Sequence, residues 1–181
     1  QSVHHNLEAR VAEKTAELQE KRERLEALYN ITSLVGKASS LHGLTAGFVQ
    51  RLRPIARADG VALRWSDETN QRFLMLASDG LPTDMVEGEH CVHAGDCHCG
   101  APGPLTDLRI IPIHAMKPGR MQHCARAGFE TIVSIPIRLH ERLMGEVDLF
   151  FHAQVTVSES DRSLLLALTA HLASAMENIR L

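Results

Sequence analysis

The period of the apolar positions changes along the chain, and the changes mark out its elements. From about Asn6 to Val35 there is no Gly or Pro, and Glu8, Arg10, Glu13, Lys14, Glu17, Glu20, Lys21, Arg22, Glu23, Arg24 and Glu26 mix charge sign densely. Glu17 to Lys21 and Glu20 to Arg24 have the acid-first spacing of four that supports a helix surface, so the segment is predicted to be one long helix. Val11, Leu18 and Leu25 fall at a positions of a heptad, with Leu7, Leu28 and Val35 at d and Lys14 and Lys21 at the intervening d positions. So narrow a stripe cannot bury itself on its own globule. It predicts a parallel homodimer with Leu7, Val11, Leu18, Leu25 and Leu28 in the seam, which the two lysines weaken.

Gly36 to Ser40 is a break, after which Leu41, Leu44, Phe48, Leu52 and Ile55 recur at helical spacing up to Pro54 and the Asp59-Gly60 turn. From Gly60 the period becomes two. Val61, Leu63 and Trp65 alternate with Ala62 and Arg64, and Phe73, Met75 and Ala77 follow a polar turn, which predicts a hairpin. Leu81 to Leu105 shows no period and carries Pro82, Pro102 and Pro104 among several glycines, so about 82–107 reads as an insertion with a function of its own. Leu108 to Ile113 fits a short strand, and Phe129 to Arg138 with Arg142 to Phe151 fits a second hairpin turning at His140-Glu141. Ser158 is a predicted N-cap for a closing helix that carries Leu165, Leu168, Leu172, Met176 and Ile179 on one face. The order describes an α+β domain with an antiparallel sheet flanked by helices, its two long terminal helices side by side.

Composition narrows the function classes. Nineteen basic and 22 acidic residues give a net charge of −3, which disfavours nucleic acid as a partner, and 44% hydrophobic against 23% charged residues is a globular balance. No apolar run approaches the roughly 20 residues that span a bilayer. The chain begins at Gln1 without Met or a signal peptide, as a segment of a longer protein would. Eleven His and four Cys remain, and the Cys are clustered, with Cys91, Cys97 and Cys99 in one stretch and Cys124 following after 24 residues.

Four thiolates suffice for tetrahedral zinc or an iron–sulfur cluster, and His90, His93, His98 and His123 add imidazole alternatives. The same cysteines also suit a reversible thiol/disulfide switch, attachment of a haem or bilin, or no site at all, since neither a Cys-x2-Cys pair nor a Cys-x-x-Cys-His motif is present. The four are expected to approach one another as a single site over the sheet, with Cys97 and Cys99 at its centre and Cys91 and Cys124 completing it.

Ser78-Asp79-Gly80-Leu81-Pro82, the run Ala127-Gly128-Phe129-Glu130-Thr131-Ile132-Val133-Ser134-Ile135-Pro136-Ile137, the strand from Leu143 to Phe151 and the closing helix together resemble a GAF domain. Leu7 to Leu18 resembles the signalling helix that follows a HAMP module, and Cys91 to Gly100 with Cys124 resembles the cysteine-containing central region of NarX-type nitrate/nitrite sensor histidine kinases. The resemblance implies a signalling helix over 1–35 and a GAF domain over 36–181. It implies a cytoplasmic relay module of an inner-membrane two-component kinase, joined to a HAMP and membrane sensor region and to a kinase core. It brings neither the nitrate site nor the catalytic core. His171 in Ala170-His171-Leu172-Ala173 lacks the acid that follows a phosphoacceptor histidine, and is read as a partly buried helix residue. If a small ligand binds, the fold implies a pocket between the sheet and the 81–105 insertion. The enzyme alternative is a GAF-type reductase of free methionine sulfoxide using Cys124 beside His123. A bilin is disfavoured by having only seven aromatic residues, and a cyclic nucleotide by the lack of an Asn-Lys…Phe-Asp-Glu signature.

Overall fold

The computed structural model describes residues 2–96, 106–115 and 123–180. Helix α1 runs from Ser2 to Lys37, longer at both ends than the charge pattern predicts. Straight-chain and alanine residues favour it, and exposed pairs such as Arg22–Glu26 at 3.4 Å and Lys14–Glu17 at 3.2 Å decorate its surface. Every side chain from Val3 to Glu26 is exposed, whereas Ile31 and Val35 are buried in the domain core. Leu28, read as part of the dimer seam, is partly buried against this same core. The last two turns of α1 therefore belong to the globule.

Helix α2 spans Leu41–Ala56, capped by Ser40, whose Oγ accepts from the Gly43 N–H at 3.0 Å. It ends at Arg57 in the left-handed conformation, φ 55°. The strands are β1 (Gly60–Ser66), β2 (Arg72–Asp79), β3 (Cys91–His93), β4 (Arg109–Pro112), β5 (Thr131–Leu139) and β6 (Arg142–Phe151). They form one sheet in the order β3-β2-β1-β6-β5-β4, each neighbouring pair antiparallel. Both predicted hairpins are present. The β5–β6 turn takes His140 and Glu141 to φ 50° and 65°, a left-handed pair that side chains adopt at a cost.

The described part of the insertion is more regular than its lack of period implies. It contains α3 (Thr83–Gly88) and β3, while the predicted strand at 108–113 closes with a single 3-10 turn at Ile113–Ala115. A further short helix, α4 (His123–Arg126), precedes β5. Helix α5 (Glu159–Arg180) closes the chain, with Ser158 Oγ accepting from the Asp161 N–H at 3.2 Å as the cap pattern predicts. Its residue His171 is exposed, not partly buried. The buried face of α5 is Leu165, Leu168, Leu172 and Met176, and His171 lies off it.

The sheet carries a layer on each face. On one, α1, α2 and α5 cover Val61, Leu63, Val133, Ile135, Ile137, Val147 and Leu149. The terminal helices meet there, and Arg24 of α1 pairs with Asp161 at the start of α5 at 2.7 Å. On the other face Met85 of α3, Val92, Ile113, Cys124 of α4 and Phe129 pack over Ala62, Met75, Ile132 and Phe150.

Candidate functional site

Period-two alternation places Arg64, Glu146, Asp148 and Ser134 on this second face, each flanked along its strand by residues of the helix-side core. The register brings them together: Arg64 stands opposite Glu146, Asp148 opposite both Ala62 and Ser134, and Ser134 opposite Arg109. In a two-layer fold such residues would meet water. Here α3 and α4 cover them, and Arg64 is the largest fully buried side chain, 0% exposed.

Each Arg64 nitrogen has an acceptor. Nε donates to Asp148 Oδ2 at 3.2 Å, Nη1 to the Glu89 carbonyl at 3.1 Å and Nη2 to Glu89 Oε2 at 3.1 Å. Glu89 is the residue that caps α3, so the guanidinium ties the covering helix to the central strands. Ser134 Oγ donates to Glu146 Oε2 at 3.2 Å, and Arg109 Nη2 lies 3.8 Å from the same oxygen. His123 Nδ1 is 3.8 Å from Glu89 Oε1, its ring accommodated because Gly88 has no side chain: a β-carbon there would lie 2.6 Å from the imidazole. Among the described residues, three buried atoms have no hydrogen-bond partner: Glu146 Oε1, Asp148 Oδ1 and His123 Nδ1.

Charge balance explains how the cluster survives burial. Among the described residues, three carboxyl groups, Glu89, Glu146 and Asp148, face two guanidinium groups, Arg64 and Arg109. Burial pushes Glu146 well above the usual carboxylate range, the neighbouring Asp148 pushes it further through charge and a hydrogen bond, and Arg64 and Arg109 only partly offset this. A proton held by Glu146 and shared with Asp148 makes the set neutral. Such a carboxyl pair can hold a proton, donate it, or exchange it for another cation.

The predicted cysteine and histidine residues are placed as follows. Cys91 is exposed on β3, while its neighbour Val92 points into the packed layer that contains Cys124. Strand alternation therefore turns the Cys91 side chain to the opposite side of β3 from Val92. His90 and His93 are exposed, and His123 joins the buried polar cluster. Cys97, His98 and Cys99 lie outside the described residues. Among the described residues no group of three His, Cys, Asp or Glu is placed to hold a metal ion. A groove of 610 Å³ lined by Glu20, Arg24, Arg57, Val157, Asp161 and Leu164 lies on the helical side, away from the cluster.

No family model and no curated protein matches the sequence. Solved structures do match. The GAF domain of a phosphoenolpyruvate-protein phosphotransferase from Coxiella burnetii superposes with a TM-score of 0.72 at 22% identity, over 87% of this chain and 94% of that one. The chain has the GAF fold. A GAF domain assigned to a sensor histidine kinase of Pseudomonas syringae pv. tomato gives a TM-score of 0.64 at 15% identity, over 92% of this chain and 95% of that one. The free methionine-R-sulfoxide reductase of Neisseria meningitidis, solved with its substrate, gives 0.71 at 16% identity, over 87% and 90%. This GAF fold thus occurs both in signalling proteins and in an enzyme.

Arg64, Glu146, Asp148, Ser134, Arg109 and Glu89 are the residues that sequence reasoning passed over. Their signal was present in the alternation. Glu146 and Asp148 are two apart within a run that is otherwise apolar from Val147 to Phe151, and Arg64 occupies the corresponding phase of β1. A polar position on a central strand reads as solvent-facing unless a second layer is anticipated, and the covering elements α3, β3 and α4 are too short to announce themselves.

Proposed function

We propose that this chain is the cytoplasmic relay module of a membrane-bound two-component sensor histidine kinase, of the NarX-like nitrate/nitrite or redox class. It works as a parallel homodimer between a HAMP and membrane sensor region and a kinase core. The observation that carries this reading is the division of α1. Leu7, Val11, Leu18 and Leu25 are 58%, 60%, 65% and 67% exposed along one stripe, while Ile31 and Val35 of the same unbroken helix are in the domain core. Burying each such side chain against a second copy is worth about 1.5–3 kcal/mol, enough for the stripe to hold a dimer that one chain leaves wet.

The helix is then both interface and input rod. A shift of α1 must repack Ile31 and Val35, and the shared core with Leu165, Leu168 and Leu172 passes that shift to α5. Arg24–Asp161 and Arg57–Glu20 at 3.3 Å fasten the rod where it leaves the globule. Lys14 at a d position keeps the seam weak enough to move. The enzyme alternative has the reductase neighbour in its favour, but Cys124 is 2% exposed, packed among apolar side chains and closed off from solvent. Sedimentation of the chain at high micromolar concentration tests the proposal. A dimer that Leu18→Asp and Leu25→Asp dissociate is expected, and a strict monomer overturns it.

A further inference from the structure

The exposed stripe on α1 includes a histidine. Val11, Leu18 and Leu25 are seven residues apart, and one further step of seven toward the N-terminus is His4. In the paired helix of the relay reading His4 therefore occupies an a position and faces the same residue of the second copy. Its neighbours along the stripe are Val3 and Leu7, both apolar and both exposed in the single chain. Lys14 and Lys21, also in the seam, have long aliphatic stems that carry their charge past its edge to water. An imidazole has no such reach, and two of them face to face need a partner that both can bind.

Glu8 lies one helical turn on, and His4 Nε2 is 3.1 Å from Glu8 Oε1. Two ligand atoms held at 2.0–2.1 Å from a tetrahedral zinc ion are about 3.3–3.4 Å apart, so this pair already spans close to one edge of such a site. One chain supplies that edge alone: among the described residues no group of three His, Cys, Asp or Glu is placed within it to hold a metal ion. Two-fold pairing brings the same edge from the second copy.

We propose that His4 and Glu8 of two chains form a four-coordinate site for a divalent first-row metal ion of the zinc type, closed only in the parallel dimer. Two neutral imidazoles and two carboxylates suit the donor preference of such an ion, and the carboxylates cancel its charge. The site rests on the parallel pairing of the relay reading, since either chain alone offers half of it. It lies about 40 Å along α1 from Ile31, where the helix joins the domain core. A bound ion thus pins the two helices together at the end remote from the globule and leaves the packing of the core unchanged.

Cobalt(II) chloride titrated into the intact, EDTA-stripped chain is the test, with sedimentation reading association and visible absorption reading coordination. A tetrahedral cobalt spectrum is expected, saturating at one ion per two chains and abolished by added zinc. Association should tighten about a hundredfold when free cobalt is a hundred times its dissociation constant, because the monomer holds only half of the site. His4→Ala should abolish both responses, and Glu8→Gln should weaken cobalt binding by about tenfold or more. Both positions are exposed, so the urea midpoint of either variant should match that of the wild type. Cobalt held by cysteine is distinguished by thiolate charge-transfer absorption and by its persistence in His4→Ala. A chain that dimerises in EDTA but gives no tetrahedral spectrum, binds one ion per chain, or responds equally as His4→Ala overturns this site alone. A chain that stays monomeric with and without cobalt overturns the pairing as well.

Discussion

Glu146→Gln should change how stability varies with pH more than stability itself. The amide copies the protonated carboxyl: it can accept from Ser134, which donates to Glu146 Oε2 at 3.2 Å, and can donate toward Asp148. Burial, followed by the charge and hydrogen bond of Asp148, holds the Glu146 carboxyl well above its ordinary range. A carboxyl raised in the folded state contributes its stability below the ordinary value and loses it as pH rises through the raised one. In that window the folded protein binds one more proton than the unfolded chain at this site, so wild-type stability falls by about 1.4 kcal/mol per pH unit from Glu146 alone. The variant has no proton to lose. With a urea m-value of about 2 kcal/mol/M, the midpoints of variant and wild type should separate by about 0.7 M per pH unit, the variant becoming the more stable as pH rises. Urea melts of both proteins across that pH range measure the difference directly, since every titrating group outside the Glu146–Asp148 pair is common to the two. Parallel curves, or a wild type that gains on the variant with rising pH, would refute the shared-proton account.

Arg64→Met should cost about 3–5 kcal/mol, because it removes the guanidinium that Asp148 and Glu89 bind in a buried layer; a thermal-melting loss under about 1 kcal/mol would mean that water reaches the pair. His140→Asn combined with Glu141→Gly should raise stability by about 1–2 kcal/mol by relieving two left-handed side-chain residues in the β5–β6 turn, and an unchanged urea midpoint would contradict it. In a Cys97→Ser, Cys99→Ser background, Ellman's reagent should label Cys91 promptly in the native protein and Cys124 only as urea opens the layer, with equal labelling rates as the contrary result.

The parts of the fold that were legible in the sequence are those whose apolar pattern answers to a single buried face. Val61, Leu63 and Trp65 on β1 and Leu165 to Met176 on α5 pack on one layer, and their period shows directly. The second layer was not legible. Strand β3 is three residues long, and α3 starts at Pro82 with no side-chain cap, so neither leaves a periodic trace between Leu81 and Leu105. Without that layer, Arg64 reads as a solvent-facing residue of β1, and Glu146 and Asp148 as ordinary outward positions of β6. For the cysteines, position in sequence did not announce burial: Cys124 lies in the packed layer, whereas Cys91 is exposed on β3 because adjacent strand residues face opposite ways and Val92 takes the inward position. Leu28 shows the same ambiguity in a helix. Its heptad phase is shared by the dimer stripe and by the face that docks on the sheet, and contact with the domain claims it.

The central claim, that α1 pairs in parallel with its copy and carries a shift into the shared core, is tested most directly by cysteine cross-linking along that helix. Single cysteines are placed at Leu7, Val11, Leu18 and Leu25, and at the intervening outward positions Glu13 and Glu20, in a background lacking the native thiols. Only a parallel, in-register pair brings each residue against its own counterpart. The account predicts rapid disulfide formation at the four stripe positions and little at Glu13 and Glu20. Cross-linking without a heptad period, or none at the stripe positions, would contradict it.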